Sequence, residues 1–277
     1  MKGSFFGNEQ ALLTVMVQAD NPQRIRELID LSIPEGAEAF GMQFERMKPE
    51  YRNKETYRKL FSNTNEKPVY VTDYRSKENI GKSDDILAQE LIELAECGAD
   101  LCDVMGDCFD RQPDEVAIDK QAIEKQKKLI DTIHSKGAKV LMSSHIYTFT
   151  PADRVLEIAL EHQRRGADIC KIVTGATTMD EQVENLRIIR LLKRELKIPF
   201  LFLCGGECTI LRRMGGELGC CVYLCVYEHD ELATPVQPLL SDVKAIRDII
   251  RRGTYELQQQ NCSDNGGGSG DWTSHCN

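Results

Sequence analysis

Apolar and polar positions along this chain alternate in whole segments. Continuously apolar runs at 12–18, 37–44, 68–74, 100–105, 139–145, 168–174, 199–204 and 220–226 are separated by stretches with apolar residues at helical spacing. Those stretches lie at 22–31, 49–62, 83–97, 120–136, 151–165, 180–197, 209–218 and 240–252. A strand apolar on both faces is what a parallel sheet covered by helices requires, so the short runs are read as buried strands. Thr150-Pro151-Ala152-Asp153 supplies a helix start with proline in the first turn. Four helix-to-strand handovers repeat one signature, Gly36-Ala37, Gly98-Ala99, Gly137-Ala138 and Gly166-Ala167, in which glycine ends the helix.

Eight strand–helix units in about 250 residues predict an α/β fold, a single-domain (β/α)8 TIM barrel over 1–252. A doubly wound sheet is the alternative, but no G-x-G-x-x-G follows the first strand. Beyond 252 the composition shifts to Gln, Asn, Gly and Ser, so 253–277, with the only tryptophan, Trp272, is expected to be a disordered tail.

Composition narrows the function. Of 277 residues, 41% are hydrophobic and 29% charged, which is ample for one core, and the net charge of −9 with no basic stripe speaks against nucleic acid as a partner. No apolar run approaches the length of a membrane span, and the apolar piece at 11–17 is short and poorly flanked for a signal peptide. Eleven cysteines occur without a C-x-x-C pair, and Cys204-x-x-x-Cys208 has no matching histidine or second pair. No metal site is expected, and thiols within apolar runs suit a reducing cytoplasm.

The candidate chemistry starts at Lys171, inside Ile169-Cys170-Lys171-Ile172-Val173. A buried amine is costly to keep charged, and the neutral amine is a nucleophile towards ketones. His145 closes another buried run, Ser143-Ser144-His145, and supplies an acid/base partner. In a barrel both would lie at the C-terminal ends of the strands, as would Arg75, Arg212 and Arg213. Arginines converging with a lysine and a histidine imply an anionic substrate, most simply a carboxylate.

These residues resemble the type I 3-dehydroquinate dehydratases, over about residues 10 to 252. Ser143-Ser144-His145 through Thr150-Pro151 is similar to that family's strand-five motif, and Gly166 through Ile172 to its Schiff-base lysine segment. Ile210 through Gly219 resembles its carboxylate-binding motif, which puts Arg213 on the substrate. The resemblance implies Lys171 and His145 as the catalytic pair, with Arg213, Arg75 and Gln237 on the substrate. It implies conversion of 3-dehydroquinate to 3-dehydroshikimate and water, with no cofactor and a small-molecule carboxylate as the only required partner. A homodimer is carried as an expectation.

The departures lie around the ring-hydroxyl site. Where the family carries a glutamate and an arginine on strand two, this chain has Gly41 and Gln43, with Glu45 in place of the following acid. The histidine-orienting glutamate after Arg75 falls on Asn79, with Glu78 one residue early. Ile146 and Ala233 replace polar residues beside the histidine and in the covering loop. Rebuilt hydroxyl recognition predicts a changed substrate, by the same imine chemistry on a related keto or hydroxy acid, retro-aldol cleavage included. Gly41→Glu with Gln43→Arg should restore affinity if the wall admits the volume. Lys171→Ala is expected to spare the fold, because it removes a desolvation cost.

Overall fold

The computed structural model describes the backbone of residues 2–264 and the side chains of residues 2–252. Eight strands, β1 (Leu12–Val17), β2 (Ala39–Gln43), β3 (Val69–Thr72), β4 (Leu101–Met105), β5 (Lys139–His145), β6 (Ile169–Ala176), β7 (Phe200–Gly206) and β8 (Val222–Cys225), alternate with eight helices. The helices are α1 (Pro22–Glu35), α2 (Lys54–Ser62), α3 (Asp84–Glu96), α4 (Lys120–Ser135), α5 (Ala152–Arg164), α6 (Met179–Glu195), α7 (Ile210–Leu218) and α8 (Leu240–Asp264).

Each strand from β1 to β6 pairs in parallel with the next, and β1 also pairs with β8. This sequential order is that of a (β/α)8 barrel and excludes the doubly wound alternative. The β7–β8 seam is held more loosely, with Cys221 N donating to Phe200 O at 2.9 Å just ahead of β8.

Local signals place the helices. Asn21 accepts from Arg24 N ahead of Pro22, Asp119 accepts from Ala122 N, and Thr178 with Glu181 forms a reciprocal capping box at α6. All four repeated glycines adopt left-handed φ, between 88° and 107°, a backbone that would strain any residue with a Cβ. Outward-facing Cys102, Val104, Val140 and Met142 are buried with Leu94 of α3 and Leu129, Ile130 and Ile133 of α4. The opposite faces of these strands are thereby left to line the barrel interior.

Two expectations are corrected. The helix expected over 49–62 is divided: a short 3-10 turn at Pro49–Tyr51 precedes α2, because Asn53 breaks the helical path and caps α2 by accepting from Thr56 N. The tail expected from 253 begins as helix, since α8 runs on to Asp264 through Glu256-Leu257-Gln258-Gln259, residues that favour helix. The remainder of that tail, 265–277 with Trp272, lies outside the described residues. No helix among the described residues is long and apolar enough to cross a membrane.

Candidate active site

Register brings the strand-borne groups together. Ser143 lies opposite Lys171 across β5–β6, and Asp103 projects from the neighbouring β4 into the same space. Lys171 is 5% exposed, and its ammonium has three acceptors for three N–H groups: Tyr74 Oη at 2.8 Å, Tyr70 Oη at 3.1 Å and Asp103 Oδ2 at 3.2 Å. Both phenols and Ser143 in turn donate to Asp103. Burial alone would raise the Asp103 carboxyl, but Lys171, His145 and the hydroxyl donors outweigh it and hold it below the usual carboxylate range. Burial and the Asp103 charge push both tyrosine hydroxyls well above their ordinary value, so they stay protonated donors. The cost of burying the Lys171 ammonium is thus met by a fully bonded ion pair.

His145 is fixed by a residue from the β4–α4 loop. Glu115 Oε2 accepts from the backbone N of His145 at 2.7 Å and sits 3.0 Å from its Nδ1. With Nδ1–H directed at Glu115, Nε2 is left for a reacting proton. Arg165 holds the loop from beneath, donating to Gly106 O and Ala117 O at 2.8 and 2.7 Å. Glu115 and Tyr147 both adopt left-handed φ, 51° and 61°, a conformation that costs energy in residues other than glycine and clusters at functional sites. The Tyr147 ring stacks on His145 at 5.9 Å, and the Tyr74 ring meets its edge at 5.1 Å. These groups, with Arg75, Ser76 and Met105, line a cavity of about 200 Å³. A larger cavity of about 720 Å³ lies between residues 5–11 and α7, away from these groups.

Several expected contacts are corrected. Glu78 is exposed on a 3-10 turn, and Asn79 is buried against Asp73, Tyr74 O and Arg52; neither touches His145, because the turn carries them away from β5. Arg75 lines the cavity, but its guanidinium is engaged by Asp84 at 2.7 Å and Asp107 at 2.6 Å, so little of it is free for a substrate. Arg213 points outward from α7 and donates only to Thr209 O, at 3.3 Å, among the described residues. Its neighbour Arg212 is buried, with Nε on Cys204 O at 2.9 Å and no carboxylate partner among the described residues. Burial pushes that guanidinium down, with partial relief from Cys204 and Tyr147.

Gln237 is buried in the β8–α8 loop, and its Oε1 has no hydrogen-bond partner among the described residues. Gln43 accepts from Gln18 at 2.6 Å and Arg46 at 2.8 Å, and Gln18 and Arg46 also bond Thr234, which latches the loop over the end of β2. Glu45 is buried, pushed up by desolvation, and accepts from Thr72 at 2.8 Å. A Cβ at Gly41 would lie 2.2 Å from Met16 Sδ and 3.0 Å from a Tyr70 ring carbon, so the conditional Gly41→Glu restoration requires the Met16 side chain to move aside.

Asp103, Tyr70, Tyr74, Glu115 and Arg46 were not anticipated. Asp103 alone had a readable signal, an acid inside the apolar run Leu101-Cys102-Asp103-Val104-Met105, by the same logic that singled out Lys171.

Comparison with known proteins identifies the family of this barrel. A family model described as Type I 3-dehydroquinase matches residues 13–253. A 3-dehydroquinate dehydratase of Alkaliphilus oremlandii (strain OhILAs) is 32% identical over 143 residues, 50% of this chain and 54% of that protein. One from Clostridium kluyveri is 26% identical over 166 residues, 57% of this chain and 60% of that protein. The chain thus spans little more than half the length of the curated relatives it matches. The crystal structure of 3-dehydroquinate dehydratase from Geobacillus kaustophilus HTA426 superposes with a TM-score of 0.75 at 17% identity, covering 89% of this chain and 93% of that one, which shows the shared barrel. With the family match running from the first strand into the last helix, through both Lys171 and His145, the chain belongs to the type I 3-dehydroquinase family.

Proposed function

We propose that this chain is a Schiff-base-forming carbon–oxygen lyase that dehydrates 3-dehydroquinate to 3-dehydroshikimate. The observation that carries the reading is the pairing of a buried, fully bonded amine, Lys171, with a histidine whose Nδ1 is fixed by Glu115 at 3.0 Å beside a cavity. Lys171 attacks the ketone and water leaves, giving a protonated imine that acidifies the adjacent carbon. His145 Nε2 removes that proton and returns it to the departing hydroxyl; hydrolysis of the imine releases the unsaturated product. The lysine is the electron sink, so the sequence of steps calls on no metal or organic cofactor. The inward guanidinium of Arg212 is suited to the carboxylate, and the unpartnered Gln237 Oε1 to a substrate hydroxyl. Free thiols at the described cysteines are compatible with a cytoplasmic setting, and the homodimer rests on the resemblance alone.

The arginine assignment is testable. Arg212→Met should raise KM roughly 10- to 100-fold with a smaller change in kcat, since truncating a charged hydrogen-bond partner typically costs about 1.5–3 kcal/mol; Arg213→Met should stay within about threefold. Steady-state kinetics with the two variants decides, and the reverse ranking returns the carboxylate to Arg213. Glu115→Gln should lower kcat roughly tenfold by loosening the imidazole, whereas exposed Glu78→Gln should stay within about twofold. Equal effects in the two variants would remove Glu115 from the site.

A second reading, the same chemistry on a related keto acid, is favoured by the wall at β2. Gly41 offers no carboxylate, with Met16 filling the space beside it, and Gln43 is engaged by Gln18 and Arg46. Unpaired substrate hydroxyls cost about 1–3 kcal/mol each, so kcat/KM on dehydroquinate should fall roughly 10- to 100-fold below that of relatives with the full pair. A non-catalytic metabolite binder is disfavoured, because binding alone needs no buried Lys171 next to His145. The test is to incubate the protein with dehydroquinate and follow the absorbance of the conjugated product. Family-like efficiency supports the strict reading, and no product while other keto acids react supports the second.

A further inference from the structure

Imine formation has a proton balance that the catalytic pair alone leaves open. An ammonium and a ketone become a protonated imine and water: nitrogen gives up two protons, both leave on oxygen, and the net charge is unchanged. The step therefore needs a group that takes protons from Nζ, passes them to oxygen and ends as it began, which is the behaviour of a hydroxyl. Among the described residues three side chains bond Lys171 Nζ: Tyr70, Tyr74 and Asp103. Tyr70 and Asp103 are 2% and 3% exposed and do not line the cavity. Tyr74 alone among them does both, with its Oη 2.8 Å from Nζ, its ring on the cavity wall and its edge against His145.

Resting on the imine reading above, we propose that Tyr74 is a catalytic residue, the proton relay between Lys171 Nζ and the ketone oxygen, which leaves His145 to work at carbon. Asp103 first takes one proton from the ammonium. The free amine adds to the carbonyl carbon, the C=O pair moves to oxygen, and that oxygen takes the Tyr74 proton while Tyr74 recovers one from the now cationic nitrogen. The hydroxyl of this adduct then leaves as the nitrogen lone pair forms C=N, taking a second proton from Tyr74 to become water. Tyr74 is restored by the proton Asp103 holds, through the hydrogen bond that already joins them. Asp103 ends ionised and the imine ends protonated, so atoms and charge balance with no further reactant. Burial and Asp103 hold the Tyr74 phenol well above its ordinary value, which keeps the relay proton in place between steps.

The first step can be isolated with 3-oxocyclohexane-1-carboxylate, which has a ketone and a carboxylate but no hydroxyl to eliminate. Borohydride then captures the imine irreversibly, and the rate of mass adduct formation on the Lys171 peptide reports imine formation. In the native protein the adduct should appear; in Tyr74→Phe its rate should fall roughly 10²-fold, with the half-saturating ketone concentration unchanged. Adduct in both proteins at the same rate overturns the relay and leaves the imine reading standing. A slower rate matched by weaker ketone binding marks a packing role and also overturns it. No adduct on native Lys171 overturns both. Placing 3,5-difluorotyrosine at position 74, which keeps the ring and makes the hydroxyl more acidic, gives a reading independent of how Tyr74→Phe folds. The pH profile of capture should move to lower pH, and an unmoved profile overturns the relay.

Discussion

Lys171→Ala should reduce turnover of any true substrate to the uncatalysed background, and it should also weaken the fold. The activity loss follows from removing the only group assigned to bond covalently with the ketone. The stability loss reverses the expectation drawn from an isolated buried amine. Asp103 is buried and bonded to Lys171 at 3.2 Å, so truncation strands its carboxylate, and breaking such a pair typically costs about 3–5 kcal/mol. The loss should depend on pH in a definite direction. In the native chain the Asp103 carboxyl is held below its ordinary value, so its contribution to stability is present at neutral pH and lost as pH falls through that lowered value. Without Lys171, burial dominates and pushes the carboxyl up, so the variant gains by taking a proton as pH falls. The gap in Tm between native and variant should therefore be widest near neutrality and narrow as the pH falls towards the ordinary carboxylate range. Thermal unfolding at several pH values measures this, and a constant gap would argue against the Lys171–Asp103 pair as its source.

His145→Ala should behave differently. The amine and its partners on Tyr70, Tyr74 and Asp103 are untouched, so the imine still forms, but the carbon-bound proton has lost its acceptor. Turnover should fall roughly 10²-fold or more while the borohydride-trappable species accumulates. The truncated ring also leaves Glu115, with 28% side-chain exposure, open to water rather than stranded, so the effect should fall on kcat with little change in Tm. Rapid-quench trapping followed by mass spectrometry separates the two steps. An unchanged rate removes His145 as the base, and a lost adduct means that it serves imine formation as well.

The barrel was legible because parallel strands buried on both faces write continuous apolar runs, and because the glycine handovers repeat at Gly36, Gly98, Gly137 and Gly166. Lys171 and His145 were legible because a polar residue in such a run is expensive. Tyr70 and Tyr74 were hidden by the same pattern, since a tyrosine in an apolar strand looks like ordinary core until the barrel turns its hydroxyl onto an amine. Glu115 sits in a loop without periodicity and reaches His145 from 30 positions away through a left-handed turn. The arginines show the limit of spacing. Arg212 and Arg213 are adjacent, and only the packing of α7 on the barrel decides which turns inward, just as Asp84 at the start of α3 and Asp107 in the β4–α4 loop claim Arg75 from segments the local sequence does not connect.

The central claim, a covalent imine on Lys171, is tested most directly by adding borohydride during incubation with dehydroquinate and mapping the modified peptide. The account predicts a stable mass adduct on the peptide that contains Lys171, dependent on substrate and absent in Lys171→Ala. Turnover of dehydroquinate without an adduct there, or with the adduct on another lysine, would contradict it.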